Sequence, residues 1–174
     1  MSAVSWVFGY GSLVWRPAFP FAERVGGAIE GFVRRFYQGS PDHRGVPAAP
    51  GRVVTLLEQP GARTWGMAYR LEAASAHEVL ARLDVREVAG YERRELDVTL
   101  ADGRTVSALC YIATPQNPSY LGPAPLAEMV AHVRRSRGPS GDNVEYVRRL
   151  ADALRELGAQ DEHVFELAAA LDGA

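Results

Sequence analysis

The chain has 174 residues, 47% hydrophobic and 23% charged, with a formal net charge of −2. All 19 basic residues are arginine, which excludes a Schiff-base lysine, a P-loop lysine and a Ser-Lys catalytic pair. A single cysteine, Cys110, excludes an internal disulfide and a multi-cysteine metal site.

This length predicts one domain, spanning 1–174. No apolar run approaches the roughly 20 residues of a membrane span, and the N-terminus lacks the basic-then-apolar pattern of a signal peptide. The expectation is therefore a cytoplasmic globular protein with no membrane partner. Arginine pairs at 34/35, 93/94, 134/135 and 148/149 are scattered among acids rather than gathered in a stripe. They read as solvated faces, and no nucleic-acid partner is expected.

The first half of the chain reads as β. Trp6–Tyr10 is a short apolar strand, Ala28–Tyr37 alternates with aromatics, and Val53–Leu57 and Trp65–Leu71 are two further runs bounded by Gly and Pro. Between them Gly39–Gly51, rich in proline and glycine, is either an ordered loop or a disordered one. Ser75 with Glu78 has capping-box spacing and opens a helix to about Arg86. Arg93–Leu100 and Val106–Ile112 form a hairpin around Asp102-Gly103. Three helices close the chain: Leu126–Arg135, Val144–Leu157, and one capped by Asp161 that ends near Leu171. Strands, then a helix, a hairpin and helices make an α+β protein rather than an alternating βαβ one.

Two places combine residues suited to chemistry. Gly9-Tyr10-Gly11-Ser12-Leu13 follows the first strand, and its glycines let backbone N–H groups approach a ligand without Cβ interference. Such a loop can cradle a carboxylate or a developing oxyanion. A simple strand-ending turn has the same spacing, and neither a dinucleotide fingerprint nor a P-loop fits. The second place is Glu87, which continues the apolar stripe of Val79 and Leu83 to the end of its helix. Burial and the helix C-terminus would both raise its pKa toward that of a general base. If the helix frays by Arg86, Glu87 is instead exposed or paired with an arginine. His43, His77, His132 and His163 lack metal-ligand spacing, and Cys110 reads as a small core residue. Tyr120 and Tyr146 flank glycine-rich turns and suit either a core or a ligand-lining role.

Val7-Phe8-Gly9-Tyr10-Gly11-Ser12-Leu13-Val14-Trp15 resembles the N-terminal signature of the ChaC-type γ-glutamylcyclotransferases. The resemblance continues in order through Arg34–Ser40, Asp42–Pro47, Pro50–Leu56, Trp65–Leu71, Arg86-Glu87 with Gly90-Tyr91, Asn117–Pro125 and Gly138–Gly141. It covers roughly residues 6–168, nearly the whole chain. The resemblance implies a small, mostly antiparallel β-barrel with surrounding helices. It also implies cleavage of glutathione to 5-oxoproline and cysteinylglycine with no metal or organic cofactor. It assigns the catalytic glutamate to Glu87 and the substrate loop to Val7, Phe8, Gly9, Tyr10, Gly11, Ser12 and Leu13, with Tyr120 and Tyr146 as matching pocket tyrosines. Val88-Ala89 stand where many relatives carry Lys-Gly, a departure that bears on kinetics and substrate preference more than on reaction type. Two other readings remain: a cyclotransferase for other γ-glutamyl amino acids or amines, and a non-catalytic γ-glutamyl-binding regulator, which would not need a carboxylate at Glu87.

Overall fold

Strand β1 (Trp6–Gly9) is buried along its whole length, and its alternating side chains feed two different cores. Trp6 and Phe8 join one apolar cluster and Val7 the other, as the period of two in a strand requires. The computed structural model describes residues 5–88 and 90–173, without the side chains of residues 86–88.

After β1 the chain makes a short 3-10 turn at Ser12–Val14 and enters two long strands, β2 (Glu23–Ser40) and β3 (Gly51–Arg70). Helix α1 (Ala76–Val88) leads to the hairpin of β4 (Tyr91–Leu100) and β5 (Thr105–Ala113). Helix α2 (Leu126–Arg135), a minute hairpin of β6 (Arg137–Gly138) and β7 (Gly141–Asp142), and helices α3 (Asn143–Glu156) and α4 (Glu162–Asp172) complete the order. The first five strands close into a barrel in the order β1-β3-β2-β4-β5. Neighbours are antiparallel except at the closing seam, where β1 meets β5 in parallel through Val7 and Leu109. The expected α+β barrel with helices around it is what forms. Among the described residues no helix is long and apolar enough to cross a membrane.

The two expected strands Val53–Leu57 and Trp65–Leu71 are one strand. β3 runs on through Pro60 and Gly61 because its pairing with β2 slips there: Phe32 faces Glu58, and Glu30 faces Arg63. The extra residues bulge out around Gly61, whose φ is +83°, while Gly31 opposite has φ +86°. Proline needs no ladder hydrogen bond in such a bulge, so a pair of residues that reads as a turn only bends the ribbon. The segment after Ser40 is ordered: Val46 and Ala49 exchange backbone hydrogen bonds, and the Arg44 amide donates to the Ser40 hydroxyl at 2.9 Å.

Helices α2, α3 and α4 pack on one core through Met129, Val133, Val147, Leu150, Leu154, Val164 and Leu167. Helix α1 packs on the other through Val79 and Leu83, against Val7, Met67, Tyr69 and Leu109. Each such aliphatic side chain taken from water contributes roughly 1.5–3 kcal/mol. At the start of α1 the Ser75 hydroxyl turns toward the Glu72 carbonyl and the Glu78 carboxylate pairs with Arg82. Asp161 does cap α4, accepting from the Val164 amide at 3.2 Å.

Candidate active site

The loop that follows β1 turns because of its glycines. A Cβ at Gly9 would lie 2.3 Å from the Leu13 Cβ, and one at Gly11 would lie 2.9 Å from the Tyr146 hydroxyl. The Val14 amide donates to the Gly11 carbonyl at 2.9 Å, closing a single 3-10 turn. The amides of Ser12 and Leu13 precede that first internal bond, so helical geometry gives them no intrahelical acceptor.

Ser12 and Leu13 line a cavity of about 530 Å³, within the size range of small-molecule sites. The structure brings Val7, Phe8, Gly9, Tyr10, Gly11, Ser12 and Leu13 together there with Tyr146. Tyr146, on α3, is 5% exposed. Its ring packs edge-on to Trp15 at 5.2 Å and to Phe36 at 6.0 Å, and its hydroxyl accepts from the Val54 amide at 3.3 Å. Burial pushes its phenol pKa upward, so the group is a neutral hydrogen-bonding one. Tyr120 is placed differently. Its backbone bridges to Gln38, which lines the cavity, but its own ring is not part of the wall.

Helix α1 borders the cavity through Arg82, Leu83 and Val85. The same helix carries Glu87 in its final turn; the side chain of Glu87 lies outside the described residues. Asp84, three residues earlier, accepts from the Tyr111 hydroxyl and from Arg93 Nη1 at 3.0 Å. Those bonds tie the last turns of α1 to β4 and β5. Tyr111 also lines the cavity, and its carbonyl accepts from the Tyr10 hydroxyl at 2.6 Å.

The cavity is also lined by residues to which the sequence assigned no role. Gln38 and Arg44 are 1% and 4% exposed, and Asn117 and Ser119 complete the polar surface between them and the loop. Arg44 lies under the β6–β7 hairpin. Its Nη1 donates to the Asp142 carbonyl at 3.0 Å and to Glu145 Oε1 at 3.3 Å, and its guanidinium rests 5.7 Å from the Tyr146 ring centroid. The backbone there is tightly stacked: a Cβ at Gly45 would meet the Gly51 nitrogen at 2.2 Å, and one at Gly138 the His43 carbonyl at 2.3 Å. Those glycines were the available signal, since each marks a close approach of two chain segments. Among the described residues no three His, Cys, Asp or Glu side chains converge as metal ligands do. The described wall instead offers free amides, a buried cation and neutral hydrogen-bonding groups.

A closed, mostly antiparallel barrel whose first strand runs into a glycine loop, with that loop, a helix end and a buried tyrosine around one cavity, has the architecture of a small-molecule enzyme. A family model described as ChaC-like protein matches residues 5–173, and the chain belongs to that family. It is 47% identical over 165 residues to the human protein named glutathione-specific gamma-glutamylcyclotransferase 1, covering 91% of this chain and 74% of that one. The glutathione-specific gamma-glutamylcyclotransferase of Schizosaccharomyces pombe is 37% identical over 183 residues, covering 94% and 90%. Among solved structures, the yeast gamma-glutamyl cyclotransferase specific to glutathione superposes with a TM-score of 0.87 at 30% identity, covering 97% of this chain and 95% of that one. A more distant gamma-glutamyl cyclotransferase, at 17% identity and a TM-score of 0.59, shares the fold.

Proposed function

We propose that the protein is a glutathione-specific γ-glutamylcyclotransferase that releases 5-oxoproline and cysteinylglycine. The observation that most supports this is the position of the Val7–Leu13 loop in the cavity wall of a ChaC-family chain, beside the helix that carries Glu87 in its final turn.

The reaction suits what the chain offers. The α-amine of the γ-glutamyl group attacks its own side-chain carbonyl, forming the lactam C–N bond, and the peptide C–N bond breaks as cysteinylglycine leaves. The nucleophile belongs to the substrate, so no lysine, serine or cysteine nucleophile is needed. Glu87 takes one proton from the α-ammonium group before attack and passes it to the departing nitrogen. The ring nitrogen sheds its second proton as the departing amine becomes ammonium. The proton transfer by Glu87 is worth roughly 10²–10⁴-fold. The Ser12 and Leu13 amides hold the γ-glutamyl moiety, and the cavity fixes amine and carbonyl at reacting distance, which can contribute several kcal/mol in a ring closure.

The test is release of 5-oxoproline by the purified protein from glutathione beside γ-glutamyl-alanine. Preferential turnover of glutathione is expected. Preference for γ-glutamyl-alanine would assign the protein to the other γ-glutamyl compounds.

A further inference from the structure

Two buried residues that line the cavity, Arg44 and Gln38, have hydrogen-bonding groups left unspent among the described residues. Among the described residues every hydrogen bond of the Arg44 guanidinium runs through Nη1, which leaves the Nε–Nη2 edge without an acceptor. That edge is the side-on fork that matches a carboxylate. Its one carboxylate partner among the described residues, Glu145, stands at 3.3 Å, is half-exposed, and is shared with Arg149.

The second group is the Oε1 of Gln38, which has no hydrogen-bond partner among the described residues. Its orientation follows from its neighbours. The Ser119 amide can only donate, so the Asn117 atom it meets at 2.9 Å is the carbonyl oxygen. That same oxygen takes a second hydrogen bond from Gln38 at 3.0 Å, which makes the facing Gln38 atom its NH₂. The Gln38 carbonyl is therefore turned the other way, on a residue that lines the cavity, and a buried acceptor left unmade is costly.

We infer that Arg44 and Gln38 form a peptide subsite, in which Arg44 binds the C-terminal glycyl carboxylate of the substrate and Gln38 accepts a peptide N–H of its cysteinylglycine part. This rests on the cyclotransferase reading above and states what makes such an enzyme prefer glutathione. Tyr146 stands between the two ends: its hydroxyl is in contact range of Gly11 and its ring lies beside Arg44. Glutathione carries one carboxylate at each end, and the cavity is lined both by the glycine loop and by the Arg44 cation. A γ-glutamyl compound without the terminal carboxylate leaves Arg44 unmatched, and the site discriminates against it.

The experiment compares glutathione with its glycyl monoethyl ester, which loses the charge at that end and gains an ethyl group, and Arg44→Met separates the two effects. The wild-type protein should favour the acid over the ester by roughly tenfold to a hundredfold in KM, the range of a charge-assisted pair. In Arg44→Met that ratio should collapse toward one, and Arg44→Lys should restore part of it. Should Arg44→Met fail to fold, Glu145→Gln is decisive, because it removes the competing carboxylate and should lower KM for the acid more than for the ester. Gln38→Met should weaken both ligands alike and leave the ratio standing. Calorimetric affinities measured on Glu87→Gln read the same ratio without turnover. Equal affinity for acid and ester, or a ratio that survives Arg44→Met, overturns the subsite. An intact ratio in a wild-type protein that releases no 5-oxoproline would count against the cyclotransfer reading and leave the subsite in place.

Discussion

Arg34 and Asp161, 127 positions apart, meet at 2.7 Å with the guanidinium fully buried and the carboxylate 11% exposed. The same guanidinium donates to the Tyr10 carbonyl at 2.9 Å and to the Trp65 carbonyl, so one cation pins the glycine loop, strand β3 and the cap of α4 together. Burial lowers the Arg34 pKa and Asp161 opposes that shift. Asp161→Asn keeps a capping oxygen but leaves the buried cation unpaired. It should cost about 3–5 kcal/mol in urea unfolding, while the double variant with Arg34→Met should cost less than the two single changes summed. Additive losses would mean that the two side chains act independently.

Glu87→Gln should fold with an unchanged unfolding transition and bind glutathione, yet lose roughly 10²–10⁴-fold in 5-oxoproline release. Retained turnover would remove Glu87 from the proton transfer.

A pair of substitutions tests the glycine loop. Gly11→Ala places a Cβ 2.9 Å from the Tyr146 hydroxyl, so either the ring or the loop must shift, and KM should rise. Tyr146→Phe removes the atom in the way. The double variant should recover part of the KM lost in Gly11→Ala; no recovery would mean that the loop is displaced in some other direction.

Acid stability should depend on His163. Its Nε2 accepts the Phe36 amide at 3.0 Å and its ring stacks on Phe36, while burial first and Arg35 second lower its pKa from 6.5 to about 4. Between those two values the unfolded chain binds a proton that the folded one refuses, so stability falls as the pH drops from 6.5 toward 4 and is flat above that window. Burial shifts His132 the same way, whereas the lowered carboxylates Glu23 and Asp102 act only beneath their own ordinary values near 4. His163→Gln keeps an acceptor and should flatten the thermal midpoint between pH 4.5 and 6.5. An unchanged slope would assign the effect elsewhere.

What the sequence made legible follows from range. The β4–β5 hairpin, α2 and the Asp161 cap depend on neighbours a few positions away, and they form where periodicity and turn chemistry put them. Pro60-Gly61 misleads because only the partner strand shows that the ribbon continues past it. The glycine loop and the Glu87 helix are visible as local patterns. Arg44 is not: a lone arginine among glycines and prolines looks solvent-facing, and its burial comes from the β6–β7 hairpin and α3, about a hundred positions later. Gln38 shares that difficulty, although its alternation with the buried Arg34, Phe36 and Ser40 on β2 marks a polar residue on an inward face.

The seam at Val7 and Leu109 joins two strands about a hundred residues apart, and the glycine loop begins two positions after it. Closing the ring there carries the loop-closure entropy of that long span. On its other side β1 pairs with β3 at four positions, Trp6 through Gly9, so the loop is held from two strands at once. Loss of glutathione binding is therefore the expected sign of a first strand that has not docked on both β3 and β5.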